Sequence, residues 1–292
     1  MKAPTDKRND TIQIIVTRAC SLFTCSNCTQ LLPFRKDALH MGVDVFRAAV
    51  RSVKDWPGVV AMFGGNPCNH PKFPELCAIL EEEIPQQKRR GLWSNDLRGH
   101  GETVRRVFYP SGRFNLNAHA EAGAADEIER HLPGKLLRES RSKLSQHSPI
   151  LVHWKDLGMT EEDWIAVRED CDINKNWSAA IVERDGEPFA YFCEVGAAID
   201  GIRGENNGIP AVPGWWRLKM SSFEHQVRNC CDAGCGVPLR LRGHLDREDT
   251  YDVSESWGAV AVPKSEKSVK VVLPVEGKAA EATDYLRRRT KD

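Results

Sequence analysis

The chain has 292 residues, enough to bury roughly three quarters of its unfolded surface in about two domains without disulfide help. Its 41 Lys plus Arg balance its 41 Asp plus Glu, so no overall field draws in a long nucleic acid or an anionic membrane. It has neither a signal-peptide apolar core nor a run of about 18 apolar residues, which predicts a cytoplasmic protein with no membrane partner.

In chain order, TIQIIVT (Thr11 to Thr17) predicts a buried strand, and Val43 to Trp56 a helix with Val45, Phe46, Ala49, Val50 and Val53 on one face. The strand GVVAMFG and the helix FPELCAILEEEI follow, the latter with Phe73, Leu76, Cys77 and Leu80 on one stripe. RGLWS then predicts a strand, GETVRRVF a short helix, RFNLNAHA a strand and EAGAADEIERHL a helix. A βαβα succession implies a parallel sheet with helical crossovers, whose function gathers in loops at the C-terminal strand ends.

Beyond about residue 135 the pattern breaks. PGKLLRESRSKLSQHSP is basic and irregular and predicts a covering segment or linker. Thr160 opens the helix TEEDWIAVRED as an N-cap and brings Cys171 to its end. EPFAYFCEVGAAID predicts a strand leading into a turn or short helix around Cys193, and a Gly-rich stretch precedes FEHQVRNCCDAGCG. The expected division is 8–150, 151–260 and a charged tail 261–292.

Ten cysteines in a reducing compartment point to metal binding or thiol chemistry rather than to five disulfides. Cys20, Cys25 and Cys28 crowd the loop after the first predicted strand, and Cys171, Cys193, Cys230, Cys231 and Cys235 form a distant second group. Between them, Cys77 reads as a small buried hydrophobe and Cys68 as a pocket-lining residue. For the triplet two centres come into question. Structural zinc wants a fourth protein ligand, for which Cys68, His70 or His40 would have to arrive from another loop. A [4Fe–4S] cluster on three Cys leaves one iron open to an exogenous ligand.

After the second strand, Gly64 and Gly65 permit close backbone approach to a ligand, and Pro67 fixes the exit of the turn. After the third, Ser94, Asn95 and Asp96 offer hydrogen bonds to ribose hydroxyls, or else a cap or Asx turn. In the fourth, Asn115, Asn117 and His119 alternate onto one side, either a polar lumen row or a solvated face.

The cysteine triplet after the first strand, GGNP after the second and LWSND after the third together resemble the radical S-adenosylmethionine (radical SAM) enzymes. FGGNPCNHPKFPEL is similar to that family's GGEPLLHPDFPEL pattern. Cys20 to Cys25 leaves four residues where the family has three, Asn27 stands where an aromatic residue is usual, and Asn66 replaces the Glu. The resemblance implies an α/β fold, a partial (β/α)6 TIM-like barrel followed by a small cysteine-rich α+β domain. It implies a [4Fe–4S] cluster on Cys20, Cys25 and Cys28, with S-adenosylmethionine (SAM) on its fourth iron and against Gly64, Gly65, Asn66, Pro67, Ser94, Asn95, Asn117 and His119. Reductive cleavage of SAM to a 5′-deoxyadenosyl radical, and hydrogen abstraction from a small-molecule or peptide substrate, are the implied activity. A reductant such as flavodoxin or ferredoxin is the implied electron donor.

REDCDINKNWSAAIVERDGEPFAYFCEVGAAIDGIRG followed by FEHQVRNCCDAGCGVPLR resembles the auxiliary region of SPASM or twitch relatives, where a Cys before a β-hairpin, one after it and a later group hold a second centre. It implies one auxiliary [4Fe–4S] cluster on Cys171, Cys193 and Cys235, with Cys230 or Cys231 as the fourth ligand, and zinc as the alternative. Either centre would stabilise a region poor in apolar runs, in which Trp215, Trp216 and Phe223 read as packing. Two other readings compete. One, within the class, is a peptide-modifying maturase; the other is a non-catalytic interaction protein organised by two zinc sites.

Overall fold

The computed structural model describes residues 11–20, 25, 28–35, 39–119, 121, 123–137, 149–171, 178–241, 250–258, 260–261 and 268–271. Asn27, most of the basic segment expected to cover the sheet, and nearly all of the tail 261–292 lie outside the described residues.

Seven strands form one sheet: β1 Thr11–Thr17, β2 Val59–Gly64, β3 Arg90–Ser94, β4 Arg113–Leu116, β5 Ser178–Arg184, β6 Glu187–Tyr191 and β7 Ile209–Pro210, in the order β4-β3-β2-β1-β5-β6-β7. The pairs from β4 through β1 to β5 are parallel, and β5–β6 and β6–β7 are antiparallel. Central β1 is buried along its whole length, as a strand with parallel neighbours on both sides and covered faces must be. Each of the first four strands leads to a helix: α1 Val43–Ser52, α2 Phe73–Glu83, α3 Gly101–Phe108 and α4 Ala124–His131. The register puts Ile12, Ile14, Val16, Val60, Met62, Leu92 and Leu116 on the face these helices cover, where they join Phe46, Val50, Leu76, Leu80, Val104 and Ile128 in the main core.

The expected barrel is met in a coarser form, as an open, mostly parallel sheet in a mixed α/β fold with four βα units. The boundary expected at residue 150 divides no sheet, because β5 pairs in parallel with β1 from Thr11↔Ser178 to Ile14↔Ile181. That pairing covers an edge of β1 that would otherwise present bare N–H and C=O groups. β5 and β6 form the implied hairpin around Asp185 and Gly186, both at positive φ (50° and 78°), the backbone that a two-residue primed turn demands.

On the other face of the sheet, helix α6 (Glu194–Arg203) lies against β5 and β6, with Ala197 packed among Ile15, Ala180, Val182 and Tyr191. It exceeds the turn or short helix expected there. Helix α5 (Glu161–Glu169) is capped as expected: Thr160 Oγ1 accepts from the Asp163 amide at 3.2 Å. Trp154, Trp164, Val167 and Leu239 form a satellite core, tied to Asp232 by Trp164 Nε1 at 2.8 Å. Trp215, Trp216 and Phe223 are buried, which is the packing role expected of them. Among the described residues no helix is long and apolar enough to cross a membrane.

Candidate functional site

At the C-terminal edge of the sheet the loops after β1 and β2 meet through main-chain hydrogen bonds, and the loop after β3 joins them through side chains. Gly65 N donates to Thr17 O and Asn66 N to Ala19 O, each at 2.8 Å. The glycines exist for this crossing. A Cβ on Gly64 would stand 2.1 Å from Thr17 O, and one on Gly65 2.3 Å from Ala19 O; Gly64 also holds φ at +135°, outside the reach of ordinary side chains. The close approach is therefore between two loops of the chain, where the sequence suggested an approach to a ligand.

The Asn66 side chain is committed to the neighbouring loops. It is fully buried, and every polar atom is engaged within the chain. Oδ1 accepts from Cys68 N at 3.0 Å and lies 2.7 Å from Ser94 Oγ, while Nδ2 donates to Asp96 Oδ1 at 2.7 Å. Ser94 Oγ also lies 2.6 Å from the Asp96 carbonyl. The side chains of Asn66 and Ser94 thus lock the second loop to the third. Pro67 opens a single 3-10 turn, Pro67–Asn69. Burial pushes the Asp96 carboxyl above its ordinary pKa, against hydrogen bonding from Asn66 and the charge of Arg98.

Asn95 is the exception in this trio. It is 6% exposed, its Nδ2 lies 3.9 Å from Cys20 Sγ, and its Oδ1 is buried with no donor among the described residues. A buried amide oxygen without a partner is costly, which marks it as an acceptor available to a bound molecule.

None of the ten cysteines, all among the described residues, forms a disulfide. Burial pushes the Cys28 thiol up to about 11, and the neighbouring amides of Leu32, Gln30 and Leu31 offset part of that. Leu31, whose N–H donates to Cys28 O at 2.8 Å, adopts a left-handed backbone (φ 51°, ψ 32°) inside the core, 1% exposed, an uncommon conformation for a residue other than glycine. Cys25 Sγ lies 3.6 Å from His119 Nδ1 and 3.9 Å from Nε2.

β4 ends at Leu116, so Asn115, Asn117 and His119 form no continuous strand row. Asn115 is exposed, while Asn117 Oδ1 accepts from His119 N at 3.1 Å and closes an Asx turn. That turn sets His119 at φ 48° and carries its ring to Cys25. The other candidate ligands stay away from the triplet. His70 is committed through both nitrogens, to Met41 O at 2.9 Å and Lys72 N at 3.0 Å; His40 Nδ1 lies 2.9 Å from Thr17 Oγ1. Cys68 is buried 3.8 Å from Ser94 Oγ, and Cys77 sits in the α2 core. Among the described residues no three His, Cys, Asp or Glu side chains gather tightly enough to hold a single metal ion.

Comparison by sequence finds no relative. No protein-family model and no curated protein matches the chain. Among solved structures it is similar to the crystal structure of BtrN in complex with AdoMet and 2-DOIA, at 15% identity and a TM-score of 0.45 over 84% of this chain and 98% of that one.

The second cysteine group collects around the start of α6. Cys193 is its N-cap residue, and the neighbouring Gly196 and Val237 amides offset part of the burial of Cys193 and Cys235 respectively. A Cβ on Gly196 would lie 3.7 Å from Cys193 Cβ and 3.8 Å from Cys230 Sγ. Burial raises every one of these thiols for which a shift is resolved. Cys230 is fully buried and packs against Gly196 of α6, whereas Cys231 is half-buried.

Proposed function

We propose that this chain is a radical SAM enzyme. The observation that carries the reading is the meeting of the three-thiol loop with the glycine loop of β2 and, through Asn95 beside Cys20, with the loop of β3 at one strand-end mouth. The donor set, three soft thiols from one loop, fits a [4Fe–4S] cluster that leaves one iron to an exogenous ligand. When bound, such a cluster with SAM supplies a 5′-deoxyadenosyl radical able to take hydrogen from an unactivated C–H bond.

The chain's own residues provide position and exclusion of water. Cys20, Cys25 and Cys28 are the proposed ligands. Asn95 Oδ1 accepts from a SAM hydroxyl or amine, and half-buried Phe63 and Trp93, on the sheet face opposite α1–α4, wall the chamber. At the second site Cys171, Cys193, Cys231 and Cys235 hold an auxiliary [4Fe–4S] cluster, Cys231 being preferred to Cys230, whose side chain packs against Gly196 of α6. A small-molecule substrate and a flavodoxin- or ferredoxin-type reductant complete the proposal.

A second reading has one observation in its favour. His119, beside Cys25, makes a Cys3His zinc site with the triplet. Anaerobic reconstitution with iron and sulfide separates the two. About four to eight iron and sulfide per chain, brown colour and 5′-deoxyadenosine released on reduction with SAM support the enzyme. Colourless protein that retains zinc against iron overturns it.

A further inference from the structure

At the end of α6 away from Cys193 the surface folds into a cavity of about 540 Å³, the size of a small-molecule site. Arg203 and Glu205 line it from the end of α6, and His153 from just before the 3-10 turn Trp154–Leu157. Ser256, Trp257 and Val260 come from the short helix Glu255–Gly258 and the residues after it, and Ala233 from the turn between Cys231 and Cys235. That turn presses on the other walls, for a Cβ on Gly234 would stand 2.5 Å from Trp257 Nε1 and 3.3 Å from His153 Cβ. None of these residues belongs to the strand-end mouth, and nothing in the chemistry proposed above uses the cavity.

Each carboxylate oxygen along or behind this wall already has a partner, while two donors have none. Glu205 Oε1 accepts from Arg203 Nε at 2.9 Å and lies 2.8 Å from Nη2, and its Oε2 accepts from Asn207 Nδ2 at 3.0 Å. Asp156 accepts from the Ser254 hydroxyl and from the Ser256 hydroxyl and amide. Arg203 Nη1 is left without an acceptor among the described residues. His153 Nδ1 accepts from the Lys155 amide at 3.1 Å, so the neutral ring carries its proton on Nε2, and the described residues offer that proton no acceptor. Burial, the largest influence on the ring, holds its pKa below the ordinary value. The rest of the wall is apolar: Ala233, Trp257 with its indole N–H bound to Gly234 O at 2.9 Å, and Val260, which is 48% exposed.

A few placed N–H donors in a mainly apolar pocket seat the charged head of an organic anion while its body leaves water. We propose that this cavity binds a small organic anion, its carboxylate or phosphate head on Arg203 Nη1 and His153 Nε2 and its apolar body against Trp257, Ala233 and Val260. Pairing with Glu205 fixes the plane of the guanidinium, so little side-chain freedom is lost when the anion arrives. The ligand rests against the turn between Cys231 and Cys235. The site goes beyond the radical SAM reading and stands whether or not the chain binds iron.

The test uses the full-length protein and rigid probes of one shape: 2-naphthoate, 2-naphthyl phosphate and the neutral 2-naphthylmethanol. Each is titrated at constant ionic strength, with binding read by calorimetry. At least one of the two anions is expected to bind saturably, about tenfold or more tighter than the alcohol. Arg203→Gln should weaken that anion about tenfold and leave the alcohol as it was. Val260→Asp, which sets a like charge on the exposed wall, should weaken it as well. Arg217→Gln, at an exposed arginine stacked on Trp216 outside the cavity, should bind like the native protein. Tighter binding of the phosphate indicates a phosphate ester, and tighter binding of the naphthoate a carboxylic acid. If Arg203→Gln fails to fold, Val260→Asp decides. No saturable binding of either anion, an alcohol bound as tightly, or an affinity unchanged in Arg203→Gln or Val260→Asp overturns the inference. Release of 5′-deoxyadenosine from SAM reads the radical chemistry separately. A protein that cleaves SAM and ignores both anions lacks this site alone; one that binds an anion and never cleaves SAM keeps the site and loses the enzyme reading.

Discussion

Asn66 carries the geometry of the mouth without facing it. Its amide joins Cys68, Ser94 and Asp96 from two loops inside a space closed to water. Asn66→Leu takes a partner from each of three buried polar groups, and a loss of about 2–4 kcal/mol in urea unfolding is expected. Gly65→Ala acts on the same crossing by a different cause. A methyl group 2.3 Å from Ala19 O must push the cysteine loop away, so iron retention after gel filtration falls further than stability does, the latter by about 1–3 kcal/mol. The position of GGNP was legible in the sequence, but its partner was not. A glycine pair announces that something comes close, and only the fold reveals that the visitor is another strand of the same chain. The left-handed Leu31 left no sequence signal at all, since a leucine advertises burial and not backbone strain.

Among elements, β1, β2, β3 and α3 fall where their apolar periodicity puts them, because each buries a face that the pattern encodes. β4 stops short of its prediction when Asn117 folds back on its own backbone, local chemistry overriding alternation. α6 was underestimated because Gly196 and Gly201 interrupt the pattern as a loop would. Both are spent on close packing, one against cysteines and the other against Arg35. The assignment of ligands around α6 predicts an asymmetry. Iron content should drop by about half in Cys231→Ala, if two clusters of four iron are present, and should stay unchanged in Cys230→Ala. The opposite pattern in iron assays would exchange their roles.

Asp156 fastens the 3-10 turn Trp154–Leu157 to the short helix Glu255–Gly258. Burial pushes its carboxyl up, but hydrogen bonds from Ser254, and from the Ser256 hydroxyl (2.6 Å) and amide (2.9 Å), outweigh that and hold it below the ordinary value. A lowered acid stabilises the fold above its unfolded value and stops doing so as pH falls through the folded one. The advantage of native protein over Asp156→Asn should therefore be complete at neutral pH and shrink below about pH 4, as read from urea midpoints. An advantage unchanged in acid would count against this fastening.

At the scale of the molecule, charge neutrality leaves recognition to local sites rather than to a surface field. If the second cysteine group holds a cluster, that centre links residues 171, 193, 231 and 235 into one unit, and chelation should lower the unfolding midpoint of native protein. Cys193→Ala should already sit at the lower value. A midpoint indifferent to chelator would mean that these thiols hold no stabilising centre.

The place of β1 in the sheet bears on how the protein is made. Gln13 on the first strand meets Ser178 on β5 across 165 residues of chain, so a ribosome delivers the middle of the sheet long before its right-hand neighbour. During that interval TIQIIVT shows a bare, water-averse flank to every other nascent chain nearby. Cells that produce this protein have to shelter that flank until β5 emerges, and fragments cut short of it will tend to clump rather than fold.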